Sequence, residues 1–317
     1  MANNYDVIII GAGPGGLTAT LYAARANLKV LILDRGIYGG QMNNTDIIDN
    51  YPGFSEIKGP ELGEKMYQSA MKFKPDFKYG EVKTVTLNGD EKIIKTDTDE
   101  FTTKALIIGT GADHKKLNIP GEKEYEGRGV SYCAVCDAAF FKDEDVVVIG
   151  GGDSAIEEGI YLSQLAKSVT VIHRRDQLRA QPVLQKRAFA NKKMHFIWNA
   201  QVEKIIGNDN KVEGVEYLDK VSGKQKIVPA AGVFIYVGVK PQTEVFENLG
   251  ILDEEGWIPT DERMNTKVPG IFAIGDVRAK DLRQIANAVG DGSIGGQEAY
   301  NYLQGLNDDI LDNETLG

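Results

Sequence analysis

The two cysteines of the chain, Cys133 and Cys136, are separated by two residues. Thiols at this spacing form a readily reduced disulfide or supply two ligands to a metal ion. A zinc site needs four ligands, and the three histidines, at positions 114, 173 and 195, show no spacing that completes one. The pair therefore indicates thiol–disulfide redox chemistry, and the sequence predicts no metal site.

Asp137 directly follows the second cysteine, so the pair has an acid beside it. A carboxylic acid at this position can donate a proton to the thiolate that leaves a partner's disulfide. Aspartate is also common as a helix cap or as a surface carboxylate. Both interpretations stay open at the level of sequence, and the predicted catalytic set is Cys133, Cys136 and Asp137.

Two glycine-rich segments have the pattern of phosphate-binding turns. Each follows an apolar run and precedes a helical pattern, which is the context of a dinucleotide-binding turn. The first glycine makes the bend, the second lets backbone approach a pyrophosphate, and a small third residue lets helix pack on strand. Free N–H groups at the helix start then face the phosphate charge. The residues are Gly11, Gly13, Pro14, Gly15 and Gly16 in the first segment, and Gly150, Gly152, Asp153, Ser154 and Ala155 in the second.

The strands that follow the two glycine-rich segments end differently. The first ends at Asp34, whose carboxylate can accept hydrogen bonds from ribose hydroxyls and repels a 2′-phosphate. The second ends at His173, followed by Arg174, Arg175 and Arg179, and guanidinium groups suit a phosphate dianion. The first segment is therefore predicted to bind a dinucleotide with a free ribose, and the second NADP(H). The alternative is that the arginines form only a solvated charged face.

These segments belong to an internal repeat. An alignment of Gly11 with Gly150 needs no gap to bring Tyr22 onto Tyr161, and the two strand ends then coincide as well. Each copy has the order strand, turn, helix, strand, so the chain contains two copies of one βαβ unit. The predicted fold class is α/β, with two Rossmann-like, three-layer (ββα) dinucleotide-binding domains.

The other apolar runs predict that the second domain is inserted into the first. Residues 105–111, 232–238 and 270–276 have the pattern of apolar strands, and residues 80–104 that of an antiparallel meander. A helix of small residues follows near position 286. The predicted bounds are 1–115 and 245–317 for the outer domain and 116–244 for the inserted domain. The connectors near 112–118 and 240–247 are the predicted hinges.

Composition limits the classes of partner. The chain has 317 residues and a formal net charge of −10, and this balance argues against nucleic acid or an anionic membrane, because both require basic patches. The first residues do not read as a leader peptide, and the apolar runs are far shorter than the ~20 residues that cross a bilayer. The sequence therefore predicts a cytoplasmic protein that binds neither nucleic acid nor membrane.

Three further motifs join those above: Gly39, Gly40 and Gln41; Gly275, Asp276 and Val277; and Arg283 with Gln284. Together with the glycine-rich segments, the arginines and the cysteine pair, they resemble the bacterial low-molecular-weight thioredoxin reductases from end to end. The sequence departs in one place, where Gly290, Asp291 and Gly292 lie in a helical region that varies among such proteins. No function is assigned to these three residues from the sequence.

The resemblance implies two cofactors, FAD on the outer domain and NADPH on the inserted one. The positions that it implies for FAD are Gly11, Gly13, Pro14, Gly15, Gly16, Asp34, Arg35, Gly39, Gly40, Gln41, Asn50, Gly111, Asp276, Val277, Arg283, Gln284 and Ile285. Those that it implies for NADPH are Gly150, Gly152, Asp153, Ser154, Ala155, His173, Arg174, Arg175 and Arg179. Among them, Asp276 is expected near the ribitol and pyrophosphate, and Arg283 and Gln284 near the flavin ring.

The resemblance also implies an activity and an assembly. Electrons would pass from NADPH through FAD and the Cys133–Cys136 disulfide to thioredoxin or a similar small dithiol protein, with Cys136 facing the flavin. A homodimer is implied as well. Because the nicotinamide site and the disulfide both lie on the inserted domain, they must alternate at one flavin face, which predicts rotation about the connectors.

Four alternatives remain at the level of sequence. A flavoprotein that reduces its acceptor without a disulfide step is disfavoured by the intact cysteine pair. The reductase of a peroxide-reducing system would carry an extra thioredoxin-like module, which the sequence does not show. A ferredoxin-fed reductase would lack the arginines. A non-enzymatic dinucleotide sensor would bind both cofactors without disulfide-dependent oxidation of NADPH.

Overall fold

A computed structural model describes residues 3–45, 47–209 and 211–315 of the chain. The chain forms two units. The outer unit comprises Met1–Asp113 and Lys240–Gly317, and the inserted unit comprises His114–Val239. No helix in the described part of the chain is long and apolar enough to cross a membrane.

Nineteen strands and six α-helices are assigned within the described residues. The strands are β1 (Asn4–Ile10), β2 (Val30–Asp34), β3 (Ile47–Ile48), β4 (Ile57–Lys58), β5 (Asp76–Tyr79), β6 (Thr84–Asn88), β7 (Glu91–Lys95), β8 (Glu100–Ile108), β9 (Ala112–His114), β10 (Val130–Ser131), β11 (Asp145–Gly150), β12 (Ser168–Ile172), β13 (Met194–Ile197), β14 (Ala200–Gly207), β15 (Val212–Asp219), β16 (Lys224–Pro229), β17 (Gly232–Tyr236), β18 (Val239–Pro241) and β19 (Ile271–Ala273). The helices are α1 (Pro14–Arg25), α2 (Gly59–Met71), α3 (Ala134–Asp137), α4 (Asp153–Leu165), α5 (Pro182–Ala190) and α6 (Ile285–Thr315). Short 3₁₀ turns lie at Gly40–Asn44, Ala138–Phe141, Glu244–Leu249 and Gly275–Val277.

The outer unit is built on one sheet with the order β5-β2-β1-β8-β7-β6, and β19 pairs with β8. Side chains of β1 alternate between two cores, because successive residues of a strand point to opposite faces. Ile8 and Ile10 pack in one core, and Val7 and Ile9 pack in the other. Both faces of this strand are covered, which explains why its sequence is continuously apolar rather than alternating.

Strand β8 differs from the sequence prediction, which separated a meander ending at residue 104 from an apolar strand beginning at residue 105. The structure shows one strand, Glu100–Ile108. Its first half pairs with β7 in an antiparallel register, and the strand also runs parallel to β1. No turn residue interrupts it, so the change from alternating to fully apolar sequence marks a change of environment and not a strand end.

Helices α1 and α6 of the outer unit pack closely through small residues. A Cβ on Gly292 would lie 2.3 Å from the carbonyl oxygen of Gly15, and one on Gly296 would lie 2.7 Å from that of Ala19. Only glycine permits these backbone contacts. The helix that follows the first glycine-rich turn is therefore held directly against α6.

The inserted unit repeats the same plan. Its parallel sheet has the order β10-β17-β11-β12-β13, and a separate antiparallel sheet has the order β14-β15-β16. Along β11, Val146 and Val148 pack in one core and Val147 and Ile149 in the other. The predicted α/β class with two Rossmann-like domains is confirmed, since both units place a parallel strand, a glycine-rich turn and a helix in that order.

Candidate functional site

The cysteine pair lies at the start of α3 in the inserted unit. Cys133 and Cys136 form a disulfide. Cys133 is half-buried and Cys136 is exposed. The backbone N–H of Cys136 donates to Sγ of Cys133 at 3.2 Å, and the N–H of Cys133 donates to Oγ of Ser131 at 3.0 Å. One turn therefore holds both sulfur atoms, and a backbone N–H of that turn contacts Sγ of Cys133.

Two tyrosines anchor the segment around the disulfide to the rest of the inserted unit. The hydroxyl of Tyr236, at the end of β17, accepts a hydrogen bond from the N–H of Ala134 at 3.0 Å. Burial raises the pKa of Tyr236, so this hydroxyl stays protonated. Tyr132 donates to Oε1 of Glu122 at 2.7 Å, and the same oxygen accepts from the N–H of Leu117 at 2.8 Å. These hydrogen bonds thus hold the residues immediately before and after Cys133.

Asp137 is half-buried at the end of α3 and borders a surface pocket of the inserted unit. Its N–H donates to the carbonyl oxygen of Cys133 at 3.3 Å. Phe140 also borders this pocket and is 80% exposed. An exposed aromatic side chain next to a reducible disulfide has the character of a contact surface for another protein.

The second glycine-rich turn joins β11 to α4. Gly150 has φ +153°, and a Cβ there would lie 2.3 Å from the carbonyl oxygen of Tyr236. A Cβ on Gly152 would meet nothing within 4 Å, so the backbone is open at the start of α4. The N–H of Arg179 donates to the carbonyl oxygen of Gly151 at 2.7 Å. This bond brings the loop that carries Arg179 to the glycine-rich turn.

The charged groups at this turn divide into buried and exposed ones. His173 is buried against Gly151, where a Cβ would lie 2.4 Å from the imidazole ring. Burial lowers the pKa of His173, and the charges of Arg179 and Arg175 lower it further. Arg174, Arg175 and Arg179 are exposed. The imidazole is therefore neutral at neutral pH, and the guanidinium groups carry the positive charge available to an anion.

The aspartate at the start of α4 is directed to a neighbouring loop. Oδ1 of Asp153 accepts from the N–H of Gln181 at 2.7 Å, and Oδ2 accepts from its side-chain amide at 2.9 Å. These bonds fix the start of α5 against the glycine-rich turn. We infer that Asp153 shapes the site through this contact.

The first glycine-rich turn, in the outer unit, joins β1 to α1. A Cβ on Gly11 would lie 2.2 Å from the carbonyl oxygen of Gly109, and one on Gly16 would lie 1.8 Å from that of Gly11. A Cβ on Gly13 would meet nothing within 4 Å. Packing therefore requires glycine at positions 11 and 16, whereas Gly13 leaves the helix start open to a ligand.

The end of β2 is tied to this turn. Oδ2 of Asp34 accepts from the N–H of Ala12 at 2.6 Å, and Oδ1 accepts from the N–H of Gly36 at 2.7 Å. Each carboxylate oxygen can accept a second hydrogen bond, so both remain able to bind a hydroxyl. The N–H of Gly39 donates to the carbonyl oxygen of Ala12 at 2.8 Å. Gly39 therefore lies beside the same turn.

Several residues that are far apart in sequence meet in the outer unit. The side-chain amide of Asn50 donates to Oε1 of Gln284 at 3.1 Å, across 234 positions. The guanidinium of Arg283 lies 3.7 Å from the ring centre of Trp257. The side-chain amide of Gln41 donates to the carbonyl oxygen of Ala112 at 3.2 Å. Contacts inside the unit therefore bring together motifs that the sequence could only associate by resemblance.

Asp276 is a polar residue of the outer unit with one buried oxygen that is unsatisfied among the described residues. Its Oδ1 is buried and accepts no hydrogen bond within the described part of the chain. Burial raises the pKa of this carboxyl, whereas the charges of Lys280 and Arg283 lower it. A buried acceptor without a donor is costly. A ligand with a hydroxyl or other donor group would satisfy it, as FAD can.

Residues 5–292 match the family model described as pyridine nucleotide-disulphide oxidoreductase. The chain belongs to this family. The match spans both glycine-rich turns and the disulfide, which accounts for the presence of a nucleotide-type turn in each unit. The protein is an enzyme of the oxidoreductase class, as the sequence predicted.

Curated relatives in this family cover nearly the whole chain. The thioredoxin reductase of Bacillus subtilis (strain 168) is 53% identical over 306 residues, which is 96% of this chain and 97% of the relative. That of Listeria innocua serovar 6a is 55% identical over 302 residues, 95% of each. The thioredoxin reductase structure of Lactococcus lactis aligns with a TM-score of 0.93 at 53% identity, covering 94% of this chain and 99% of the other. The structure of the T. acidophilum thioredoxin reductase aligns with a TM-score of 0.91 at 38% identity, covering 94% and 98%.

The residues predicted from the sequence are divided between the two units of this pyridine nucleotide-disulphide oxidoreductase. In the outer unit, Arg35 is exposed after β2, Gly111 follows β8, Val277 is buried beside Asp276, and Ile285 begins α6. In the inserted unit, Ser154 is exposed and Ala155 is buried in the first turn of α4. Their roles as ligand contacts stay predictions.

Sequence reasoning missed four residues that shape these groups. They are Glu122 and Tyr236 near the disulfide, Trp257 under Arg283, and Asp291. Each acts through contacts that depend on how the chain folds, from the Tyr132–Glu122 pair ten positions apart to the Tyr236–Ala134 pair 102 positions apart. For Asp291 a signal did exist, because a charged residue between two glycines in a helix of small residues is unusual.

Proposed function

We propose that this protein is an NADPH-dependent thioredoxin-disulfide reductase that uses FAD and the Cys133–Cys136 disulfide. The observation that carries the proposal is this disulfide, which uses both cysteines of the chain and lies in the same unit as a glycine-rich turn flanked by arginines. The high identity to thioredoxin reductases over the whole chain supports it.

The proposed FAD site lies in the outer unit. The open backbone at Gly13 would receive the pyrophosphate at the start of α1, and Asp34 would accept from the ribose hydroxyls. The unsatisfied oxygen of Asp276 would accept from a hydroxyl of the cofactor. Asn50, Gln284 and the other positions named from the resemblance would surround the ring.

The proposed NADPH site lies in the inserted unit. The open backbone at Gly152 would receive the pyrophosphate at the start of α4. Arg174, Arg175 and Arg179 would bind the 2′-phosphate, because guanidinium groups form paired, charge-assisted hydrogen bonds with phosphate. When bound, NADPH and FAD supply the hydride chemistry that side chains do not perform, and the chain binds and orients them.

The cysteines perform the final exchange with the protein substrate. The thiolate of Cys136, the more exposed of the two cysteines, attacks one sulfur of the substrate disulfide, which forms a mixed disulfide and releases the other sulfur as a thiolate. Asp137 donates a proton to that thiolate. Cys133 then attacks Sγ of Cys136 and gives up its thiol proton, which the second substrate sulfur takes as it leaves. The intramolecular disulfide forms again, and the substrate leaves as a dithiol.

The proposed partner is thioredoxin or a similar small dithiol protein, with Phe140 at the contact surface. Its 80% exposure beside the pocket that Asp137 borders supports this assignment. The resemblance supports a homodimer. The cytoplasm is the proposed location, because a chain whose two cysteines are both in a redox pair suits a reducing compartment.

An anaerobic titration with NADPH and with NADH, followed by turnover with purified thioredoxins, tests the proposal. We expect NADPH to reduce a flavin-coloured protein and thioredoxin to be turned over. Cys136→Ser should lower thioredoxin turnover about 100-fold or more, while NADPH still bleaches the flavin. Thr86→Ser, on an exposed part of β6, is the control and should leave turnover unchanged.

Three results would contradict the proposal at different points. A colourless protein that cannot be reconstituted with FAD would show that the protein does not use a flavin. Equal use of NADH and NADPH would show that the arginines do not bind the 2′-phosphate. Unchanged turnover in Cys136→Ser would show that electrons do not pass through the disulfide.

A further inference from the structure

Asp291 is a buried carboxylate on α6, 5% exposed, with three partners. Its Oδ1 lies 2.8 Å from Nη1 of Arg278, and its Oδ2 lies 2.9 Å from Nζ of Lys280. Oδ2 also accepts from the backbone N–H of Gly275 at 2.9 Å. A buried charge persists only when it is paired and hydrogen-bonded, and Asp291 meets both conditions.

The two cations are held in place by further contacts. The side chains of Arg278 and Lys280 are 13% and 11% exposed, so all three charged groups are shielded from water. Nε of Arg278 donates to Oγ1 of Thr260 at 2.7 Å, and Nζ of Lys280 donates to the side-chain oxygen of Asn287. Each group therefore has a defined geometry, and removal of Asp291 leaves both cations without their counter-charge.

The partners of Asp291 bracket Asp276 in the sequence. Gly275 precedes Asp276, and Arg278 and Lys280 follow it. Gly275 has φ +70°, a left-handed conformation that favours glycine. On the far side, the carbonyl oxygen of Val277 accepts from the N–H of Ile258. The backbone on both sides of Asp276 is therefore fixed, and Asp291 supplies the contacts at both ends of this turn.

The same part of α6 contacts the first glycine-rich turn. A Cβ on Gly15 would lie 3.1 Å from the carbonyl oxygen of Ala288, and one on Gly292 would lie 2.3 Å from that of Gly15. Asp291 stands between these two residues of α6. It therefore connects the turn that carries Asp276 with the start of α1, the two parts of the outer unit that the proposed FAD site requires.

We propose that Asp291 is a positioning residue for FAD: its contacts with Gly275, Arg278 and Lys280 hold Asp276 in the conformation that accepts a hydrogen bond from the cofactor. This inference rests on the proposed function, in which the outer unit binds FAD. It goes beyond that function because Asp291 is not among the residues that the resemblance implies for FAD. The competing explanation is that Asp291 stabilises the fold alone.

FAD affinity of the FAD-free protein separates these two explanations. FAD is removed from wild type, Asp291→Asn and Asp291→Glu, and rebinding is followed by quenching of flavin fluorescence. Thermal melts of the FAD-free proteins report stability independently. Leu303→Ala is the matched control, since Leu303 lies on the same helix but packs in a different core of the outer unit from Val277 of the Asp276 turn.

We expect the Kd for FAD to rise about tenfold or more in Asp291→Asn, because two buried cations lose their counter-charge. Asp291→Glu retains the charge and should recover part of the affinity. Leu303→Ala should lower the melting temperature of the FAD-free protein and leave the Kd within about twofold, as expected for sites that share no partner.

A Kd in Asp291→Asn that stays within the range of the control would overturn the inference. If Asp291→Asn does not fold, Lys280→Met decides, because it retains the pair of Asp291 with Arg278. A rise in Kd of about threefold supports the inference, and an unchanged Kd overturns it. Wild-type protein that binds no FAD contradicts the proposed function itself, whereas tight FAD binding by both wild type and Asp291→Asn contradicts this inference alone.

Discussion

Charged side chains around the second glycine-rich turn differ in burial, and burial assigns them different roles. His173 is buried with a lowered pKa, so it contributes a neutral ring that packs on Gly151. Arg174, Arg175 and Arg179 are exposed, and their guanidinium groups supply positive charge and hydrogen-bond donors. Selectivity for a 2′-phosphate should therefore depend on the arginines.

Replacement of Arg174 and Arg175 together by glutamine should raise the KM for NADPH about tenfold or more, because charge-assisted hydrogen bonds to the phosphate are lost. The kcat with NADPH and the KM for NADH should change little. Steady-state kinetics with both nucleotides measure this. Lys186→Gln, an exposed change on the same unit, is the control. An equal rise in KM for NADH would contradict the prediction.

Lys92 is a buried cation in the outer unit, and its titration should appear in the stability of the protein. Its Nζ donates to the carbonyl oxygens of Asp90 and Lys104 at 3.0 and 2.8 Å. Burial lowers the pKa of this ammonium from 10.5 to about 8, and the charge of Asp90 opposes that shift. Between these two pKa values the unfolded chain binds more protons than the folded protein.

The stability of wild type relative to Lys92→Met should therefore rise as the pH increases from about 8 to 10. The lysine is charged and desolvated below this window, and deprotonation in the folded state removes that penalty. We expect a relative gain of about 1–3 kcal/mol. Urea denaturation of both proteins across this pH range measures it. Parallel curves for the two proteins would show that the lysine titrates at its ordinary value.

At the scale of elements, the outer unit depends on close contact between two helices. The contacts of Gly292 with Gly15, and of Gly296 with Ala19, leave no room for a side chain between α1 and α6. The contacts position the start of α1, where the glycine-rich turn begins its helix. The sequence showed small residues in this region, and the helix pairing explains why they are there.

Gly290 and Gly292 provide a matched pair of alanine substitutions on α6. A Cβ on Gly290 would meet nothing within 4 Å, so Gly290→Ala should stabilise the protein by about 0.5–1 kcal/mol through helix propensity. A Cβ on Gly292 would meet the carbonyl oxygen of Gly15, so Gly292→Ala should destabilise it by about 1–3 kcal/mol. Chemical denaturation of both variants tests the pair. Equal effects would mean that α6 does not pack on α1 in this way.

At the scale of the whole molecule, each unit has cores of its own. Those of the outer unit contain residues before position 113 and after position 240, and those of the inserted unit contain residues between them. Each unit can therefore respond separately to its own ligand. The rotation predicted from the order of the segments along the chain stays a prediction.

Hydrogen exchange should reveal this separate response. At about 100 times its Kd, NADP⁺ should stabilise the unit that binds it by about 2.7 kcal/mol. Protection should increase in peptides that cover residues 145–180 of the inserted unit. Peptides that cover residues 4–34 of the outer unit are the internal control and should change little. Stronger protection at residues 4–34 would mean that NADP⁺ binds the other glycine-rich turn.

The sequence alone determined the fold class, the internal repeat, and the chemistry of the cysteine pair. These features are local: strand, turn and helix follow one another within about 30 residues, and both cysteines lie on one short segment. Continuous apolar runs predicted the buried strands, because both faces of each parallel sheet are covered. The pattern was misread at β8, where one strand has two environments.

Tertiary structure alone decided which distant groups meet. The hydrogen bond between Asn50 and Gln284, and the burial of Asp291 with Arg278 and Lys280, depend on chain segments that pack after the local elements form. No spacing rule predicts such contacts, because the free energy of a buried charge depends on its three-dimensional surroundings and not on its neighbours in sequence. The sequence therefore determined the kind of chemistry, and packing decided which residues hold its groups in place.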